Sequence, residues 1–222
     1  MHPDTVQRVY LVRHGSTPAN ETRSFQNHET PLSETGLAQA ELVAERFTRI
    51  PIEIILASTM KRAQQTAHAI QKATGVELIS SDLLIEHLKP TVVQGKAHDD
   101  VEALALWAKV GPAFGTSQKH SDEENFDDLK ARGKKAIELI RSRKEMHVAV
   151  VLHGTFLKMV LCLMEFGDTL TADMFIRAAH FFGMTNTAIS IVDYLPGITP
   201  ELPHDEKSDW HSRVINDYAH LG

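Results

Sequence analysis

One cysteine, no run of basic residues and no long apolar stretch are the absences that narrow the reading of this 222-residue chain. Cys162 has no partner for an intramolecular disulfide, and its apolar neighbours Val160, Leu161 and Leu163 point to a buried thiol in a reducing compartment. A net charge of −6 without any Lys/Arg cluster argues against nucleic acid or an anionic membrane as a partner. Positive charge for any anionic ligand must therefore come from a local pocket. The first ten residues hold no apolar signal-peptide core, and residues 156–166, the most apolar run, are too short and too charged to span a bilayer. A cytoplasmic protein is the expectation. Thirteen histidines raise the question of a metal, but no H-x-H, HExxH or H-x-x-x-H spacing occurs, so neither metal nor other cofactor is expected. No internal repeat or low-complexity tract divides the chain, whose length suits a single domain over residues 1–222.

What is present is an alternation of short apolar runs with amphipathic ones. Val9 to Val12 is apolar throughout, the pattern of a strand buried on both faces of a parallel sheet, and it runs into Arg13-His14-Gly15. Ligands of open α/β sheets collect beyond the carboxyl ends of strands, so a cation and an imidazole there face a crevice. Gly15 lets another group approach the backbone. Ser33 reads as the N-cap of a helix carrying Leu37, Ala40, Val43, Ala44 and Phe47 at helical spacing. Further strands are expected at 52–57, 76–79, 147–152 and 186–192. Helices are expected after Ser58 as far as Gly75, at 99–108, from Ser121 onward, from Phe156 to Phe166 and at 168–178. Residues 87–120, punctuated by Pro90, Gly95, Gly111, Pro112 and Gly115, read as an inserted lid in which Trp107 and Phe114 build a small core or touch substrate. The expected fold is a three-layer α/β/α sandwich with a mostly parallel central sheet.

Arg13-His14-Gly15-x-Thr17 with Asn20, then Ser58-x-x-x-Arg62-Ala63-x-Gln65-Thr66-Ala67, Glu86, and His153-Gly154-Thr155 after another apolar strand follow one another in the order of a known pattern. Together they resemble the histidine phosphatase superfamily, its phosphoglycerate mutase-like branch in particular, and the likeness extends to 25–40 and 216–221. The chain departs from that pattern at Asn27, where a glycine is usual and which predicts a bulkier pocket rim. It departs again at Val93-Gln94, where Trp-Glu is usual, and at Leu152, where a serine is common. The resemblance implies His14, Glu86 and His153 as catalytic residues and Arg13, Arg62, Asn20 and Thr155 as phosphate ligands, with a weaker suggestion of substrate contact by Glu124.

These residue types suit phosphoryl transfer. Guanidinium forks match phosphate oxygens bidentately, and their charge holds a neighbouring imidazole neutral, as a nucleophile requires. Glu86 follows Leu83, Leu84 and Ile85, so burial is expected to raise its pKa and suit it to protonating a leaving alkoxide. The resemblance further implies a carbonyl partner that fixes the His14 tautomer. Three functions compete: a metal-independent phosphomonoester hydrolase working through a phosphohistidine, a phosphoglycerate mutase-type phosphoryl transfer, and a catalytically silent phosphate-binding module. A mutase must anchor its substrate's carboxylate, for which the family uses a lid arginine pair, whereas no arginine lies between Glu86 and Arg132 here. That favours the hydrolase, with a small phosphorylated substrate as partner and a homodimer left open.

Overall fold

The computed structural model describes residues 6–22, 24–197 and 208–222. Six strands form one sheet: β1 (Gln7–Arg13), β2 (Ile54–Ser58), β3 (Leu78–Ser81), β4 (His147–Leu152), β5 (Ile189–Tyr194) and β6 (Trp210–Asp217). Their spatial order is β3-β2-β4-β1-β5-β6. The first four run parallel, whereas β5 is antiparallel to both β1 and β6. Successive side chains of a strand point to opposite faces, so an unbroken apolar run supplies two cores at once. Val9, Leu11, Ile54, Leu56, Val148 and Val150 pack on one face, beneath α5 (Phe126–Arg141) and α6 (Gly154–Phe166). Tyr10, Val12, Ile55, Ala57, Ala149 and Val151 pack on the other, beneath α2 (Glu34–Phe47) and α3 (Lys61–Thr74). This is the expected α/β/α layering.

Local signals explain most helix ends. Ser33 caps α2 by accepting from the Gly36 amide at 3.1 Å, and Gly75 ends α3 at φ 70°, a left-handed conformation that glycine adopts without cost. Several boundaries differ from expectation. The helix after Ser121 starts only at Phe126, because Asn125 and Asp128 form a reciprocal capping box there, while Asp122, Glu123 and Glu124 make contacts of their own in a loop. The helix α4 (Val101–Ala113) outruns its expected end because Gly111 and Pro112 are absorbed into its last turn, with Asp100 as N-cap. Thr171 caps α7 (Ala172–Phe181), and Gly167–Thr169 is a separate 3₁₀ turn. Val76 and Glu77 precede β3, whose pairing with β2 begins at Leu78. Asn186 and Thr187 precede β5 rather than open it.

Residues 198–207 lie outside the described residues. Among those described, no helix is long and apolar enough to cross a membrane. Residues 24 and 97 form an isolated antiparallel bridge that ties the 87–120 stretch to the first loop. Phe25, Val93 and Ala103 build a small apolar cluster there, with Leu106 and Trp107 packed against it. Phe114 instead joins Phe126 and Phe175 in the main core, and neither it nor Trp107 lines the cavity described next.

Candidate active site

The register of β1 against β4 pairs Arg13 with Leu152, so His14 and His153 leave adjacent parallel strands at the same level. Their ring centroids stand 5.0 Å apart. The turn carrying His14 is gripped from several sides: the His14 amide donates to Leu152 O at 2.9 Å, Thr187 N to Arg13 O at 2.9 Å, and Asn186 Nδ2 to His14 O at 2.8 Å. The group that Gly15 admits is the backbone of α2. A Cβ on Gly15 would sit 2.5 Å from Gly36 O, and one on Gly36 would sit 1.9 Å from Ser16 O.

Both nitrogens of His14 have partners. Nδ1 lies 2.7 Å from Gly15 O and Nε2 lies 3.3 Å from Arg62 Nε, which donates to it. That network assigns the proton to Nδ1 and a lone pair to Nε2. Burial, followed by the charges of Arg62 and Arg13, holds the His14 pKa well below the usual histidine value, against the opposing pull of the Gly15 carbonyl. His153 is also buried, and burial together with Arg62 keeps its pKa far down. Its Nε2 is 2.8 Å from Ser58 Oγ, whereas its buried Nδ1 has no partner among the described residues.

Arg62, in the first turn of α3, spends Nη1 on Asn27 O at 2.8 Å, and burial pulls its pKa down to about 10. Asn27 does line the cavity, at the rim where the sequence departs from the family's glycine. Arg13 donates through Nη1 to Met184 O, and its buried Nε has no partner among the described residues. A buried, charged donor left unmatched is costly unless something from outside matches it. Gly154 is close enough that a Cβ would lie 3.4 Å from that Nε.

Glu86 corrects an expectation. Burial does push its pKa up, but the amides of His87 (2.9 Å), Thr155 (3.2 Å) and Phe156 (2.9 Å) all donate to the carboxylate and Arg62 adds its charge. The net effect is a pKa below the ordinary value, which favours the carboxylate form of Glu86. The Thr155 amide is consequently occupied by Glu86 rather than free for phosphate, although the residue lines the cavity. Asn20 lines it too, with Oδ1 accepting from Thr17 N at 3.1 Å and from Thr17 Oγ1 at 3.0 Å. Glu124 does not reach the cavity. Its carboxylate forms a bidentate pair with Arg132, both contacts 2.7 Å, and accepts from Leu88 N at 2.9 Å. Arg132 in turn donates to Ile85 O at 2.7 Å and Glu86 O at 3.2 Å, so the pair braces the loop carrying Glu86.

The cavity lined by Arg13, His14, Asn20, Arg62, Glu86 and Thr155 measures about 410 Å³, within the range of small-molecule pockets, and His153 is not among its lining residues. The sequence assigns no role to Ser58, Thr66, Asn186 or Lys158, and offers Lys89 only as one of four scattered lysines of the 87–120 stretch. Thr66 Oγ1 accepts from Gly15 N at 3.1 Å, and both lysines line the cavity. Ser58 and Thr66 lie inside the second motif, which was the available signal; nothing local marks the other three. Among the described residues, no group of three or more His, Cys, Asp or Glu side chains is placed to hold a metal.

A sequence model of the histidine phosphatase superfamily, branch 1, matches residues 9–199. The chain belongs to that superfamily. It is 42% identical over 220 residues to a probable phosphoglycerate mutase of Yersinia pestis (strain Pestoides F), covering 96% of this chain and 94% of that one. It is also 29% identical over 167 residues to a Hydrogenobacter thermophilus protein provisionally named phosphoserine phosphatase 2, covering 72% and 79%. The fold matches that of a mycobacterial glucosyl-3-phosphoglycerate phosphatase with a TM-score of 0.74 at 24% identity, covering 95% of this chain and 99% of that one. This histidine phosphatase chain therefore has relatives on both sides of the phosphatase–mutase divide, and phosphatase or mutase activity on small phosphorylated metabolites is what they support together.

Proposed function

We propose that the chain is a metal-independent phosphomonoester hydrolase that works through a phosphohistidine at His14. The observation that carries this reading is the His14 imidazole itself: neutral, tautomerically fixed, and with its Nε2 lone pair turned to a guanidinium that can exchange it for phosphate. In the first step Nε2 attacks phosphorus in line while Arg13, Arg62 and the unpartnered Nδ1 side of His153 take the non-bridging oxygens. The P–O bond to the leaving group breaks, and its oxygen takes a proton from Glu86. Because the protein's own groups hold the Glu86 pKa below the ordinary value, that proton arrives with a monoanionic substrate or is taken up when phosphate charge raises the carboxyl pKa. Water then attacks the phosphohistidine, the Glu86 carboxylate takes its proton, and inorganic phosphate leaves. The two arginines supply the positive charge that a metal supplies in other phosphoryl-transfer sites.

Phosphoglycerate mutase-type transfer is the second reading, favoured by the 42% identical relative. Against it stands the 87–120 stretch, which holds no arginine and of whose lysines only Lys89 lines the cavity. Lys96 is paired with Asp100 and Glu102, Lys119 with Asp128, and Lys109 is not among the cavity-lining residues. A catalytically silent phosphate-binding module is disfavoured because Arg13, His14, Arg62, Glu86 and His153 are all present.

The test is acid-quench trapping with labelled substrate, expected to put phosphate on the peptide containing His14. It is combined with phosphate release from a panel of monoesters, with and without EDTA. Wild-type turnover persisting in His14→Ala would end the phosphohistidine mechanism. An enolase-coupled assay showing 3- to 2-phosphoglycerate conversion well above phosphate release would replace hydrolase by mutase.

A further inference from the structure

Residues 216–221 take no part in the site described so far, and none of them lines the cavity. The fold nevertheless carries them to the back of the catalytic turn. Because β5 runs antiparallel to β1, the loop before it, residues 184–187, lies beside the point where Arg13 and His14 leave β1. β6 pairs with β5 in turn, with Asp217 opposite Ile189, and brings the C-terminal residues up against that loop.

The loop holds the catalytic turn by three bonds. Met184 O accepts from Arg13 Nη1, Asn186 Nδ2 donates to His14 O at 2.8 Å, and Thr187 N donates to Arg13 O at 2.9 Å. Thr187 is buried at φ 59°, a left-handed conformation that a β-branched residue adopts only where its surroundings impose it. The C-terminal residues are among those surroundings. Asn216 Oδ1 accepts from Thr185 N at 2.7 Å, and His220 Nε2 lies 3.1 Å from Thr187 Oγ1. Arg46, in the last turn of α2, donates through Nη1 to His220 Nδ1 at 3.3 Å and through Nη2 to Asp217. A guanidinium can only donate, so His220 Nδ1 is the acceptor. Thr187 Oγ1 spends its own proton on Asn186 O at 2.7 Å, so His220 Nε2 carries the hydrogen of the other bond. The imidazole is thus a neutral strut between α2 and the loop. Burial and the charge of Arg46 keep its pKa below the usual histidine value, against the opposing pull of Asp217.

We propose that His220 is a positioning residue for phosphoryl transfer: through Thr187 it locks the 184–187 loop, which fixes the carbonyls of Arg13 and His14 and hence the line of attack of His14 Nε2. Gly15 O, the acceptor that sets the His14 tautomer, is one peptide further along the same turn. The inference rests on His14 as the nucleophile and holds for hydrolase and mutase alike.

His220→Phe keeps a ring and gives up both bonds, whereas His220→Gln keeps an amide N–H for Thr187 Oγ1. The first should lower kcat and the rate of phosphoenzyme formation by about 10- to 100-fold, the cost of misplacing a reacting atom by up to about 1 Å. KM should change little, because a charge tolerates a small displacement better than an in-line attack does. The glutamine variant should recover most of the loss. Asp193→Asn is the structural control: it weakens a buried carboxylate's pairs with Arg8 and Arg213 towards the other end of β5, and should lower the melting temperature without touching kcat. In protein labelled with ¹⁵N-histidine, the Nδ1–H tautomer of His14 should be weakened in His220→Phe and intact in Asp193→Asn. If His220→Phe does not fold, Thr187→Gly, which tolerates the positive φ and deletes the hydroxyl, should show the same fall in kcat. Normal kcat in the variant that lacks the bond, no recovery with glutamine, or an equal loss in Asp193→Asn overturns the proposal. If no phosphohistidine forms at all, the phosphohistidine reading fails and the His14 ring signals decide this one: altered in His220→Phe alone, the lock stands; unaltered, it falls.

Discussion

Arg62 Nε donates to His14 Nε2 across 3.3 Å, and the bond identifies which nitrogen of the imidazole carries the lone pair. The same guanidinium is held by the carbonyl of Asn27 and lowers the histidine's proton affinity through its charge. In the proposed mechanism one side chain thus prepares the nucleophile and waits at the position of the phosphate oxygens. Lysine in its place keeps a charge but loses the fork. Arg62→Lys should therefore lower the rate of phosphoenzyme formation by about 10²–10³-fold, the usual cost of removing one transition-state donor. Rapid-quench kinetics reads this directly, and a loss of less than tenfold would separate Arg62 from the transition state.

Glu86→Gln removes the proposed proton donor while preserving shape. General-acid assistance is worth about 10²–10⁴-fold, so alkyl phosphates should slow by that order, whereas phosphoenzyme formation from p-nitrophenyl phosphate should slow much less. Equal losses on the two substrates would assign Glu86 to binding rather than proton transfer.

The depressed pKa of Glu86 sets a pH dependence whose sign can be worked out. The productive complex needs one proton shared between carboxyl and phosphate. With Glu86 ionised down to below its ordinary value, that proton comes with the substrate monoanion, whose second pKa is near 6. For alkyl phosphates kcat/KM should be highest on the acid side of about pH 6 and fall above it, approaching tenfold per pH unit. His14 adds no limb there, since its own pKa lies well below the usual histidine range. A profile flat up to pH 8 would show that the proton reaches Glu86 by another route.

Gly36 is a stability and activity determinant far from the chemistry in sequence. A Cβ there would lie 1.9 Å from Ser16 O, backbone against backbone, so the catalytic turn must move if it is added. Gly36→Ala should cost about 1–3 kcal/mol, as core overpacking does, and lower kcat together with the melting temperature. Gly111→Ala, in α4 with nothing within 4 Å of the added Cβ, is the control and should be neutral or slightly stabilising. Matching behaviour of the two variants in thermal melts and kinetics would remove the close approach as a constraint.

The elements and the motif residues were legible locally. A strand buried on both faces is apolar at every position, a helix capped by Ser33 or ended by Gly75 carries its own signal, and the chemistry begins where the apolar runs stop at Arg13 and Leu152. Boundaries were less legible where a tertiary contact competed with a local one. The acids 122–124 look like a helix start, but they are drawn into bonds with Thr91, His120 and Arg132, and the helix waits for the Asn125 box.

By itself, then, the sequence determined the alternating α/β layout, the two strand ends that carry imidazoles, and the arginines that accompany them, because backbone periodicity and residue type are properties of neighbouring positions. Only the tertiary structure decided the ionisation of Glu86, the pairing of Glu124 with Arg132 and the presence of Lys89 at the cavity wall. The sequence around Glu86 shows apolar neighbours and suggests a raised pKa. The folded chain brings the Thr155 and Phe156 amides, 69 and 70 positions away, onto the same carboxylate and reverses the sign. A charge buried in a protein takes its energy from whatever donors and charges surround it in space, and those come from segments that local pattern does not connect.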